Sequence, residues 1–174
     1  MILTIQQLVS GSPSGLEHKV AFANGATLMQ SEYEQIGMGE IRRAFSNKAL
    51  ADANANIKLA TRVSGSGWMK PGLDGLNYKP PVRMQCIEPL CQQTSGGAIT
   101  PIRTARTDFP QYAFAMTASG LVKTTLTGWT PVAVSGATYY LVHFYPVLDG
   151  YARYSGALDQ AGGVFNWTLD FEEK

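Results

Sequence analysis

In Val164-Phe165-Asn166-Trp167-Thr168-Leu169-Asp170-Phe171, apolar and polar side chains alternate from Phe165 to the end. Successive side chains of a strand point to opposite faces, so this period of two predicts a strand with one face on a core and the other in water. The preceding sequence repeats the theme. Residues 112–117, 121–126, 130–134 and 138–148 read as short strands, separated by Ser119-Gly120 and Ser135-Gly136 as turns. Within them, residues 139–145 (Y-Y-L-V-H-F-Y) are apolar almost throughout, which predicts a strand covered on both faces. Asp149-Gly150 reads as a turn into residues 151–155, and Gly162-Gly163 as the turn before Val164.

The first half of the chain is less uniform. Residues 2–9 form a first strand, and G-S-P-S-G at 11–15 is a turn or loop signal. Residues 19–23 and 27–36 flank Asn24-Gly25, the strongest two-residue hairpin signal, and so predict a hairpin. Residues 46–57 (S-N-K-A-L-A-D-A-N-A-N-I) have two readings: one short helix capped by Ser46, with Leu50, Ala53 and Ile57 as its stripe, or two strands joined by an Asn-rich turn. Residues 57–63 alternate, as do 82–87 before Pro89 ends them. Residues 92–108 are polar and irregular, with a possible short strand at 99–103. The sum is about nine or ten strands and at most one short helix. The expected fold is therefore all-β, an antiparallel β-sandwich or barrel with long ordered loops, forming a single domain over residues 1–174.

Residues 63–81, V-S-G-S-G-W-M-K-P-G-L-D-G-L-N-Y-K-P-P, carry four glycines and three prolines, which excludes a helix interior and argues against a central strand, so a shaped loop is expected. Loops of this length in compact domains are functional or disordered, and Trp68, Leu73, Leu76 and Tyr78 argue for an ordered, self-packed one. A phosphate cradle would need G-K-[ST], whereas Lys70 is followed by Pro71. One acid, Asp74, two lysines and no histidine or cysteine make its chemistry contact rather than catalysis.

Composition narrows the function classes. A net charge of +1 lacks the basic excess that nucleic acid or an acidic membrane demands. Charged residues are only 16% of the chain, which fits a surface covered by other subunits, or an uncharged polar surface on a particle-borne or extracellular domain. The opening residues lack the basic start and apolar core of a signal peptide, and no apolar run reaches membrane-spanning length, so a soluble chain kept in the cytosol is expected. Cys86 and Cys91 lie five apart, and only His18 and His143 could complete a metal site; two free thiols are expected, and no cofactor or metal. Two histidines and no nucleophile elbow disfavour a catalytic triad. The pairs Glu32/Glu34 and Asp170/Glu172 each share a strand face and read as solvated acids rather than a glycosidase pair. Asn166-Trp167-Thr168 matches a glycosylation acceptor incidentally. The remaining signal is aromatic, three Trp, eight Tyr and seven Phe, with Trp68, Tyr78 and Trp129 in or beside loops that would stack on sugars or anchor a protein interface.

The phrase S-G-S-G-W-x-x-P-G-L-x-G-L-x-Y at 64–78, followed by Arg83-Met84-Gln85-Cys86-Ile87-Glu88-Pro89, resembles a family of virion tail proteins of long-tailed bacteriophages. These include transposable phages of Pseudomonas, whose genes for such proteins lie among the tail and baseplate genes. The match is specific over residues 58–89 and general elsewhere, and Cys91 lies outside the pattern. The resemblance implies a non-enzymatic β-barrel or sandwich subunit of the distal tail or baseplate, found in the virion tail and in the host cytoplasm during assembly. Its implied partners are copies of itself in a ring and other tail proteins. A tail-tube subunit is the near alternative, and a carbohydrate-binding β-sandwich that recognises the bacterial surface is the alternative of a different class. In the ring reading, loops 63–81 and 92–108 make the contacts, with Trp68, Leu73, Leu76 and Tyr78 as anchors.

Overall fold

The computed structural model describes residues 2–21, 29–36, 42–43, 49–50, 57–68, 70–160 and 162–174. Its strands are β1 (Ile2–Val9), β2 (Ser12–Ala21), β3 (Met29–Ile36), β4 (Arg42–Arg43), β5 (Ala49–Leu50), β6 (Lys58–Gly67), β7 (Val82–Gln85) and β8 (Leu90–Thr94). There follow β9 (Tyr112–Thr117), β10 (Gly120–Thr124), β11 (Leu126–Thr127), β12 (Thr130–Pro131), β13 (Ala137–Phe144), β14 (Val147–Asp159) and β15 (Val164–Glu173). No helix occurs among the described residues, and the fold is all-β with antiparallel sheets, consistent with a β-sandwich. The largest sheet runs β2-β1-β7-β14-β15-β6-β3, a second runs β10-β9-β13-β8, and β11-β12 and β4-β5 form short ribbons.

The period-two pattern in β15 is what builds the main core. Phe165, Trp167, Leu169 and Phe171 point inward, together with Leu59 and Val63 of β6, Leu148 and Ala152 of β14, Val82 and Met84 of β7, and Leu3 and Ile5 of β1. Each large apolar side chain removed from water in this way contributes roughly 1.5–3 kcal/mol. The partners Asn166, Thr168, Asp170 and Glu172 stay on the outer face.

β7 and β14 are direct neighbours, Val147 to Gly150 pairing with Gln85 to Val82. Residues 86–146 are therefore an insertion between two adjacent strands of the main sheet, and they carry the second sheet. That sheet has a small core of its own, with Ala113, Ala115, Tyr140, Val142 and Phe144 buried. The alanines leave room for the rings beside them. Trp129 stands edge-on to Phe144 at 5.8 Å, and the Tyr140 hydroxyl accepts the Val134 N–H at 2.9 Å.

Several local expectations are corrected. Asn24-Gly25 lies outside the described residues, but the flanking β2 and β3 are not partners: β2 pairs with β1, and β3 pairs with β6 at the opposite edge of the sheet. The hairpin instead turns at Ser10-Gly11, both with positive φ, as a type I′ turn requires. The G-S-P-S-G signal falls mostly within β2, where a register shift between Ile5 and Gln7 of β1 and the positive φ of Gly15 absorb it. Within 46–57, Ala49–Leu50 is extended against Arg42–Arg43, which rules out one continuous helix; residues 46–48 and 51–56 lie outside the described residues.

Asp149-Gly150 is not a turn. β14 runs straight through it, and Gly150 is required because a Cβ there would collide with the Glu172 backbone. The single strand expected over 138–148 breaks at Tyr145-Pro146, where proline removes a ladder donor. Residues 99–103 are not a strand, whereas Leu90–Thr94 is, paired with β13. β13 is fully buried on one face only: Tyr140, Val142 and Phe144 are buried, while Leu141, His143 and Tyr145 are half-exposed.

Candidate functional site

The expected loop starts later than its glycines suggest: residues 63–67 are the end of β6, a central strand paired with β15 on one side and β3 on the other, and from Gly67 the chain crosses to β7 over the inner face of the main sheet. Leu73 is 0% exposed and Leu76 is buried beside it, both within the same core as Leu169 and Met84. The Leu76 N–H donates to the Leu73 carbonyl at 3.2 Å. Tyr78 is half-buried against that core; its hydroxyl donates to the Leu73 carbonyl at 2.9 Å, and its ring stacks on Tyr154 at 6.3 Å. Burial pushes the Tyr78 hydroxyl up, keeping it a neutral donor. At the rim, His18 Nδ1 lies 3.3 Å from the Gly72 carbonyl, and Lys70 pairs with Asp74 at 3.5 Å.

These contacts fasten the loop to its own subunit. Leu73 and Leu76 are thus removed from the expected contact surface, because they are part of the chain's own core. Trp68 is the exception: at 66% exposed it stands at the open end of the sheet, next to Gly67, whose row continues through Phe165 to the 59% exposed Leu158.

The outer face of the sheet carries a row of alternating charge. Register places Glu32 of β3 beside Arg62 of β6, Arg62 beside Asp170 of β15, and Asp170 beside Arg153 of β14. Arg62 Nε donates to Asp170 at 2.6 Å, and this contact holds the Arg62 guanidinium above its ordinary value. The next row holds Glu34, Ala60, Glu172 and Tyr151, so both carboxylate pairs read from the sequence line one open cleft on a solvated face.

The inserted unit is tied on by two arginines. Arg106 is buried, its side chain 0% exposed; it grips Asp108 through Nε and Nη2, and its Nη1 donates to the carbonyls of Ile2, Gln85 and Cys86 at 3.0, 3.2 and 2.9 Å. Arg103 pairs with Glu173 at 2.6 Å and donates to the Ile57 carbonyl. Asp108 is held below the usual carboxylate range by its hydrogen bonds from Arg106. Nothing in the polar run R-T-A-R-T-D announced these roles, since the carbonyls they satisfy lie far away in sequence.

The remaining candidate chemistry falls apart in space. Burial pushes the Cys86 thiol up to about 12, while Cys91 is exposed on β8; both are free, so Cys86 is a core group and no thiolate. His143 lies between Cys91 and Tyr112 across the second sheet, its ring stacked on Tyr112 at 5.0 Å, with Phe114 edge-on at 5.6 Å. Burial lowers its pKa. His18 sits on β2, tied to the loop. Among the described residues, no group of three or more His, Cys, Asp and Glu is placed to hold a metal ion, and no helix is long and apolar enough to cross a membrane.

No protein family, no curated protein and no solved structure matches this chain.

Proposed function

We propose that the chain is a non-enzymatic structural subunit of a long-tailed bacteriophage tail, a distal-tail or baseplate ring component that assembles with copies of itself and joins the tail tube to the tip. The residues 58–89 that resemble tail proteins support this reading. The observation that carries it is Trp68, 66% exposed at the end of a loop otherwise locked into its own core. Exposing a tryptophan beside a loop packed into its own core is unfavourable for an isolated subunit and favourable for one whose partner covers it, since buried aromatics anchor interfaces. Tyr78 contributes by bracing that loop. A tail-tube subunit uses the same anchor in the same way.

A second reading, a glycan-binding β-sandwich, is favoured by the aromatic face of the inserted sheet, where Tyr112, Phe114 and His143 cluster and Lys123 lies 5.4 Å from the Tyr112 ring centroid. Size-exclusion chromatography with light scattering separates the two. The tail reading expects closed multimers or concentration-dependent assembly; a strict monomer that retains glycans on an array contradicts it.

A further inference from the structure

β14 is thirteen residues long, yet β7 pairs with it only from Val147 to Gly150. Beyond that point, β15 covers one side through Asp159, and no described strand pairs with the other. Residues 155–160 are exposed on both strand faces, with Leu158 at 59%. The direction of the bare groups follows from their neighbours. The Pro146 carbonyl accepts the Cys86 N–H on the β7 side, and the Asp149 carbonyl accepts the Lys174 N–H on the β15 side. The register with β15 is unbroken from Gly150 to Asp159, so Tyr154, Gly156 and Leu158 aim their N–H and C=O groups away from β15, at the open edge.

Sheet edges are normally guarded by charges, proline or bulges. β3 carries Glu32 and Glu34, β2 carries Pro13, Lys19 and a register shift, and β10 carries Lys123. The bare part of β14 has one charge of each sign at its ends, Arg153 and Asp159, and reads Y-S-G-A-L between them, with no proline and no bulge.

We infer that this edge pairs with the same edge of a second copy, antiparallel about a two-fold axis at Gly156. In that register Tyr154 faces Leu158 of the second copy, Gly156 faces Gly156 and Leu158 faces Tyr154, each pair exchanging an N–H···O bond in both directions. The same register sets Arg153 against Asp159 of the second copy, and by symmetry Asp159 against Arg153. An isologous contact demands such self-complementarity. Shifting the register by one or two residues toward Tyr154 loses the charge match and sets Arg153 against Ala157 or Ser155. The pairing fuses two seven-stranded sheets into one, and it stands independently of the tail reading.

The test uses the full chain carrying Trp68→Ala, so that any ring assembly through Trp68 is removed and failure of the tail reading is read separately. Sedimentation velocity across micromolar to millimolar concentrations should show a monomer–dimer equilibrium. Leu158→Pro removes only an outward N–H and should leave a monomer with an unchanged urea midpoint. Arg153→Glu, which meets Asp159 of the second copy, should weaken the dimer at least tenfold, and it carries the test if the proline variant fails to fold. In a Cys91→Ser background, an oxidised mixture of Ser155→Cys and Ala157→Cys chains should give the mixed disulfide dimer. A monomer at every concentration, a dimer indifferent to both Leu158→Pro and Arg153→Glu, or Ser155→Cys linking only to itself would each overturn the inference.

Discussion

The Arg106 guanidinium is fully buried, while the Asp108 carboxylate that it grips at 2.9 and 2.6 Å is half in water. Arg106 is held in the interior by Asp108 on one side, through Nε and Nη2, and by the Ile2, Gln85 and Cys86 carbonyls on the other, through Nη1. Phe109 completes the pocket, its ring centroid 4.7 Å from the guanidinium carbon. The two sheets are held together at this point.

Arg106→Leu should cost roughly 3–5 kcal/mol, because it strands three carbonyls and a carboxylate partner at once. Asp108→Asn keeps the acceptor and the shape and should cost far less. Urea unfolding of the two variants checks the order.

Leu73→Ala removes a side chain that is completely enclosed, and it should destabilise the monomer by about 2–5 kcal/mol. If the loop were held by a neighbour instead, the same change would lower assembly and leave the monomer's unfolding midpoint in place. Thermal and urea midpoints at low concentration separate the two.

Gly150→Ala should be among the most damaging single-atom-group additions in the chain, exceeding the usual overpacking cost of roughly 1–3 kcal/mol, because the added methyl meets backbone rather than a side chain. Gly97→Ala, with nothing within 4 Å of the added atom, should stay within about 0.5 kcal/mol. A pair of melting curves decides it.

Burial holds the His143 imidazole below its ordinary 6.5. The unfolded chain then binds the proton first on acidification, so His143 supports the fold above pH 6.5, and that support is lost as the pH falls through its lower folded value. Asp108 acts in the same direction further down, below its ordinary 3.8. Replacing His143 by Phe should flatten the loss of stability between pH 7.5 and 5, leaving the more acid limb intact. Tyr112, Phe114 and Cys91 are the groups that face the ring, and all three are uncharged neighbours that favour the neutral imidazole.

The fold class was legible because β15 and the first part of β6 alternate cleanly, and alternation is a local property. Pairing was not. Asn24-Gly25 promised a hairpin, yet strand neighbours are chosen by which apolar faces must meet, and β3 buries its contact against β6 rather than β2. The Gly150 signal misled for a related reason: glycine serves a turn and a crowded strand equally well, and only the Glu172 backbone, twenty-two positions on, distinguishes them. In the candidate site, the packed loop was legible but its start was not, because residues 63–67 continue β6 despite their glycines, and the sequence treats Trp68, Leu73, Leu76 and Tyr78 alike. What separates them is that Leu73 and Leu76 reach the core while Trp68 sits where the sheet has already ended. Arg106 was missed because its partners lie as far away as Ile2.

Whether Trp68 is an assembly anchor is decided by sedimentation velocity of Trp68→Ala beside the unaltered chain, with urea midpoints measured on both. The account predicts that the unaltered chain assembles beyond any strand-paired dimer and that the variant does not, with midpoints agreeing within about 0.5 kcal/mol of stability. Equal assembly of both proteins, or a variant that fails to fold, would contradict it.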